Sequence, residues 1–146
     1  MNDRASRLEP LAGYASQVEA EAARRLAASV KHLKSKETEL EQLRSYLAEY
    51  RQREEQELQT SESGRWRNTR LFLAKLCDAV AFHEAELQKA VERYRFDADR
   101  WRDCHQRTQT LDKVVERSNR DASHTRQQRE QAELDEQAAR RSRESY

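Results

Sequence analysis

Thr60-Ser61-Glu62-Ser63-Gly64 is the only turn-like cluster in this sequence of 146 residues, and it divides the chain into two long segments. The remaining breakers, Pro10 and Gly13, both stand near the beginning. Upstream of the cluster, Leu26, Leu33, Leu40 and Leu47 recur every seven residues, with Val30 and Leu43 at intermediate positions and Glu37 interrupting them. Apolar residues in that rhythm form the seam of a coiled coil. Further upstream, Val18, Ala22, Leu26 and Val30 step by four, which predicts a local relaxation of the left-handed supercoil. The small side chains of Ala22 and Ala28 let a neighbouring helix approach closely.

Downstream of the cluster the repeat is longer. Leu73, Val80, Leu87, Tyr94, Trp101, Thr108, Val115 and Ala122 are spaced by seven, with Leu76, His83, Ala90, Asp97, Cys104, Leu111, Ser118 and Thr125 as companions. Asp97 puts a carboxylate on the seam, and the nearest aromatic, Phe96, stands about 100° off it and is expected to lean over its edge.

Two helices with one apolar stripe each, joined by about five to eight residues, fold back antiparallel, because connections that short join neighbours. The sequence therefore predicts an all-α fold, a long antiparallel two-helix coiled-coil hairpin built as a single domain. The first helix is expected over about 5–59, the bend over about 60–67 and the second helix over about 68–138, followed by a frayed tail at Arg140-Arg141-Ser142-Arg143. Folding about Gly64 brings Leu47 near Val80, Leu40 near Leu87, Leu33 near Tyr94 and Leu26 near Trp101. From about Ala122 onward the second helix has no partner, and the hairpin is expected to be a rod on the order of 80 to 105 Å long. Glu21 with Arg25, Glu49 with Arg53, Asp103 with Arg107 and Glu116 with Arg120 are spaced for ion pairs worth about 0.2 to 0.5 kcal/mol each. Most of the stability must come from the seam, at roughly 1.5 to 3 kcal/mol per buried Leu-sized side chain.

Composition supports this architecture. Charged residues make up 38% and hydrophobic residues 36%, with two Gly and one Pro, which suits long helices better than a turn-rich globule. The formal charge is +1 with acids and bases mixed throughout, so no basic block offers a nucleic-acid footprint. Met1, Asp3, Arg4 and Arg7 begin the chain without an apolar core, and nowhere do about 18 apolar residues run together. A cytoplasmic protein with reduced thiols at Cys77 and Cys104 is the expectation.

Catalysis finds no setting in this sequence. Cys104-His105 and the Cys77, His83 pair invite a metal, but structural zinc needs four converging ligands, and His32 and His124 fall at unrelated places. His83 occupies a seam position, which suits a packing histidine. Phosphate-binding glycine loops and nucleophile elbows are missing, and a two-helix rod has no concave pocket in which to shift carboxylate pKa values. Neither an enzyme nor a cofactor is predicted.

The bend, by contrast, carries more apolar surface than a seam needs. Leu43, Tyr46 and Tyr50 form a second stripe beside the Leu40 and Leu47 line, and Phe72, Leu76, Ala79 and His83 form a row that only partly coincides with the seam. These rows either widen the core locally or leave an exposed apolar patch of the kind that marks a partner site. Arg65 and Trp66 add an amphipathic anchor of a type enriched at interface hot spots.

At these residues the sequence resembles the FliJ family of flagellar type III export proteins. The resemblance is carried by Tyr46 and Tyr50, Arg65-Trp66, Phe72, Leu76, Ala79, His83 and Leu87, then Trp101, Gln106-Arg107, Leu111 and Glu116-Arg117, and it spans about Leu8 to Arg129. Glu39 and Gly64 depart from the expected pattern. The resemblance implies a stalk similar in architecture to the gamma subunit of rotary ATP synthases, serving flagellar assembly and hence motility and chemotaxis. Its implied partners are the ring of the export ATPase FliI, the membrane export gate protein FlhA and export chaperones. By the same analogy the end with both termini enters the ring. The patch of Leu43, Tyr46, Tyr50, Phe72, Leu76, Ala79 and His83 meets the gate, placing the protein at the cytoplasmic face of the inner membrane. Virulence secretion stalks of the YscO class share this architecture and are the alternative reading, with a similar mechanism in a different machine. A structural, self-assembling coiled coil would need the heptads alone, whereas a hairpin that closes its own seam should be a monomer when free.

Overall fold

The computed structural model describes residues 3–60 and 63–145, which form an α-helical hairpin of two long helices, α1 (Asp3–Thr60) and α2 (Ser63–Glu144). Ser61 and Glu62 of the expected bend lie outside the described residues. Gly64, Arg65 and Trp66 belong to the first turns of α2 rather than to a bend reaching residue 67. A glycine costs a helix only about 1 kcal/mol, and here the propensity of the residues after it prevails. At the other end α1 runs through Pro10, whose missing N–H removes one helical hydrogen bond close to the N-terminus, where the loss is smallest.

Contacts divide the chain into two compact units, residues 22–101 and residues 1–21 with 102–146. In the first, Leu40, Leu47, Leu73, Leu76 and Val80 form the core, and Leu43, Tyr50 and Leu87 pack against it. Leu40 is the most deeply buried large side chain, at 2% exposure. Both expected rows of α2 face inward over this unit, from Leu73 and Leu76 to Asp97 and Trp101. On α1 the second row differs from expectation. It runs through Ala22, Ser29, Lys36, Leu43 and Tyr50, all buried or half-buried, whereas Glu37 is exposed and Val30 lies beside the seam. The seven-residue rhythm was hidden because two of its members, Ser29 and Lys36, are polar.

Ser29 meets Asp97, which is 2% exposed. The Ser29 hydroxyl donates to Asp97 Oδ2, and Arg93 Nε approaches the same oxygen at 3.3 Å. Asp97 Oδ1 is buried without a hydrogen-bond partner. Arg44 and Glu84 close a further bridge between the helices at 3.1 Å. Phe96 is 57% exposed and stays off the seam, against the expectation that it leans over the edge.

The second unit has a smaller-grained seam. Ala5 and Ala15 on α1 and Thr108 on α2 are buried, flanked by half-buried Leu8, Val18, Cys104 and Leu111. The Thr108 hydroxyl lies 3.2 Å from the Ala15 carbonyl and 3.0 Å from that of Cys104, so its one proton is shared among neighbouring acceptors. His105 Nδ1 lies 2.5 Å from Glu19 Oε1. That hydrogen bond holds the Glu19 carboxyl below its ordinary range; a second from Thr108 acts the same way, and burial opposes both.

Every residue from His124 to Ser145 is exposed. The stretch is nonetheless helical to Glu144, so the expected fraying at Arg140-Arg141 is not what the chain adopts. Local pairs support it: Arg140 with Glu136 at 2.9 Å and Gln131 with Asp135 at 3.1 Å, while Arg141 and Arg143 in the last turn complement the helix dipole.

Candidate partner-binding surface

Close to the fold-back, the surplus apolar side chains separate into core and surface. Leu76 is a core residue at 7% exposure, and Leu43 and Tyr50 pack against the core from its edge. Tyr46 and Phe72 are 53% and 45% exposed. Across the two helices the rings of Tyr50 and Phe72 meet, with centroids 4.6 Å apart and planes tilted by 50°. Aromatic pairs at this distance are worth about 0.5 to 1.5 kcal/mol beyond the area they bury. The Arg53 guanidinium stands 4.8 Å over the Tyr50 ring.

Further along the same face, Ala79 and His83 are half-buried. His83 Nδ1 lies 3.7 Å from Glu39 Oε2, which also takes Lys36 at 3.4 Å. Apart from that approach to Glu39, His83 Nδ1 makes no hydrogen bond, although the atom is buried. Phe82 meets the His83 ring edge-on at 5.4 Å. Of the expected patch, the structure brings Tyr50 and Phe72 into contact, leaves Tyr46 exposed and Ala79 and His83 half-buried, and gives Leu43 and Leu76 to the core and its edge.

Arg65 is exposed and Trp66 half-buried, with the Arg70 guanidinium 5.1 Å over the indole. The indole N–H is buried without a hydrogen-bond partner, an unusual cost for a Trp so close to solvent. Among the exposed apolar residues that the sequence pattern does not single out are Leu58, Leu71 and Phe82, at 57%, 60% and 61%. The seam periodicity marks only residues that border it. Leu71 and Phe82 face away from it, and their signal would have been heptad spacing against other outward residues.

Among the described residues no three His, Cys, Asp or Glu side chains gather in a way that could hold a metal ion. Cys77 is an exposed free thiol and Cys104 a half-buried one. In the other unit a groove of about 170 Å³ is lined by Leu11, Tyr14, Val18, Cys104 and Leu111 with Arg107 at its rim. No described helix is long and apolar enough to cross a membrane.

Fold and surface together define the class, an all-α coiled-coil hairpin that presents aromatic and apolar side chains beside its fold-back. The chain belongs to the FliJ family: the family described as Flagellar FliJ protein matches residues 4–145, nearly the whole sequence. Its members are non-enzymatic adaptors of flagellar protein export. No curated protein and no solved structure gives a significant match.

Proposed function

We propose that this chain is a stalk and adaptor of the flagellar type III export apparatus that enters and stimulates the ring of the export ATPase FliI. It meets the export gate protein FlhA through the surface around Tyr46 and Phe72 and escorts export chaperones. It works at the cytoplasmic face of the inner membrane and has no active site of its own. The observation that carries this reading is the bare helix from His124 to Glu144, exposed on every side, in a chain that matches the FliJ family over nearly its whole length. A single helix with no face already taken can be surrounded by a ring.

Stimulation follows if the stalk binds one ring conformation more tightly than another and so shifts that population. Hydrolysis by FliI, measured with the full chain and with the chain cut after Ala122, tests the stalk. Stimulation should be lost with the overhang, and undiminished stimulation would refute it. For the gate surface, Tyr46→Ala and Phe72→Ala should abolish capture by FlhA. Their stability loss should stay well under the roughly 3 to 5 kcal/mol of a buried aromatic, because both rings are about half exposed. Melting that collapses in step with lost binding would show these rings to be core.

A further inference from the structure

The leucines of the seam leave its register open. Within residues 22–101 one inward row of α1 is Leu26, Leu33, Leu40 and Leu47, all buried or half-buried. Sliding α1 along α2 by one heptad puts leucine where leucine stood, so this row fits more than one alignment of the two helices. The companion row, Ala22, Ser29, Lys36, Leu43 and Tyr50, changes character at every step, and it tells the alignments apart.

A slip that carries α1 away from the fold-back brings Glu54 to the place of Leu47, in the core with Leu73, Leu76 and Val80, and Glu57 to the place of Tyr50. Burying two carboxylates among leucines opposes it strongly. The opposite slip meets no such obstacle in the core. Leu40 takes the place of Leu47, Leu43 that of Tyr50, and Lys36 that of Leu43 at the core's edge, where its stem can lie along apolar surface. What opposes this slip is Asp97. Ala22 would arrive where Ser29 stands, and a carboxylate at 2% exposure, with Oδ1 already lacking a hydrogen-bond partner, would lose the hydroxyl that donates to Oδ2. Arg93 belongs to α2 itself, so its approach to Oδ2 does not distinguish the two alignments. In the other unit the same slip brings Ala12 to the place of Glu19, whose Oε1 lies 2.5 Å from His105 Nδ1.

We infer that the Ser29, Asp97 pair and the Glu19, His105 pair are register keys, which hold α1 at one heptad position on α2 and thereby hold the Tyr50 ring against Phe72. The four are positioning residues for that aromatic contact, because in the slipped alignment Leu43 lies on Phe72 in place of Tyr50. Buried polar groups in coiled coils are known to set register at a cost in stability. The keys concern the hairpin itself and do not depend on what binds the surface around Tyr46 and Phe72.

Register is read by cross-linking the full chain, in a Cys77→Ser/Cys104→Ser background, with a short bifunctional thiol reagent. The Arg44 and Glu84 side chains meet at 3.1 Å, so Arg44→Cys/Glu84→Cys reports the present alignment. Glu37→Cys/Glu84→Cys reports the slip, which moves α1 by about 10 Å. Glu19→Ala/Ser29→Ala removes one member of each key and should raise the slip product by at least roughly tenfold over the parent's. Adding Ala12→Glu/Ala22→Ser moves both members one heptad along α1 without changing composition. The slip product should then dominate, and the urea midpoint lost in the first variant should recover, because the moved groups meet His105 and Asp97 again only in the slipped alignment. The inference is overturned if the fourfold variant keeps the slip product at the parent's level, or if its midpoint stays where the first variant left it.

Discussion

Asp97 is a carboxylate buried in the seam, and Ser29→Ala removes the hydroxyl that donates to it. In Ser29→Ala the carboxylate stays at 2% exposure with Oδ1 already lacking a hydrogen-bond partner and Oδ2 now losing the Ser29 hydroxyl. A hydrogen bond to a charged group contributes about 1.5 to 3 kcal/mol, and that is the expected destabilisation. Arg93 cannot make up the difference. Its side chain is 62% exposed, and an ion pair so open to solvent supplies at most about 1 kcal/mol. The paired change Ser29→Ala/Asp97→Leu should reverse the sign. It removes the desolvated charge and places a Leu where burial is worth roughly 1.5 to 3 kcal/mol. Exchanging a buried ion for apolar packing is commonly neutral or stabilising by about 1 to 4 kcal/mol. Urea unfolding followed by circular dichroism, with slopes compared as well as midpoints, measures both. If Ser29→Ala stays within about 0.5 kcal/mol of the parent, or the double variant is weaker than the single one, the seam does not depend on this pair as argued.

Two further expectations concern the seam in each unit. Leu40→Ala should cost about 2 to 5 kcal/mol as a fully buried large-to-small change, and Leu87→Ala less, because Leu87 only packs against the core from its edge; equal small losses in thermal melts would contradict the core. Glu19 has its folded pKa lowered by the His105 hydrogen bond, so its contribution is fully present above its ordinary value of 4.5. It is lost as the pH falls through the lower folded value. The parent should therefore lose more stability on acidification through that window than His105→Gln, and identical pH profiles would remove the pair from the account.

How much of this was visible in the sequence depended on residue type. The α2 rows from Leu73 to Trp101 announced themselves because most members are large and apolar, and even Asp97 fell at a counted position. On α1, Ser29 and Lys36 occupy inward positions that hydrophobicity cannot reveal. Lys36 can do so because its long stem lies along apolar surface while its amine reaches Glu39. The hairpin followed from the short break, but the helix start did not, because Gly64 is tolerated inside α2 where a turn was expected. Of the surface residues, Tyr46 and Phe72 were identified from stripes beside the seam. Phe82 and Leu71 were passed over because a solitary exposed apolar residue carries no message until its heptad neighbours are considered.

The leucine core of residues 22–101 also has a bearing on how that unit folds. Its members lie nearest the fold-back along the chain, so they close the shortest loops. Arg44 and Glu84 are 40 positions apart, whereas Ser29 and Asp97 are 68 apart. Loop entropy alone separates those two closures by only about 0.5 kcal/mol, too little to impose an order. The order comes from the side chains: the early closures bring together Leu47, Leu73, Leu76 and Val80, while the later ones bring Ala22, Ser29, Ala90 and Asp97. Folding of this unit should nucleate at the leucines and run outward as a zipper of low contact order. Substitutions at Leu47 or Val80 should then slow folding, and those at Ser29 or Asp97 should mainly speed unfolding.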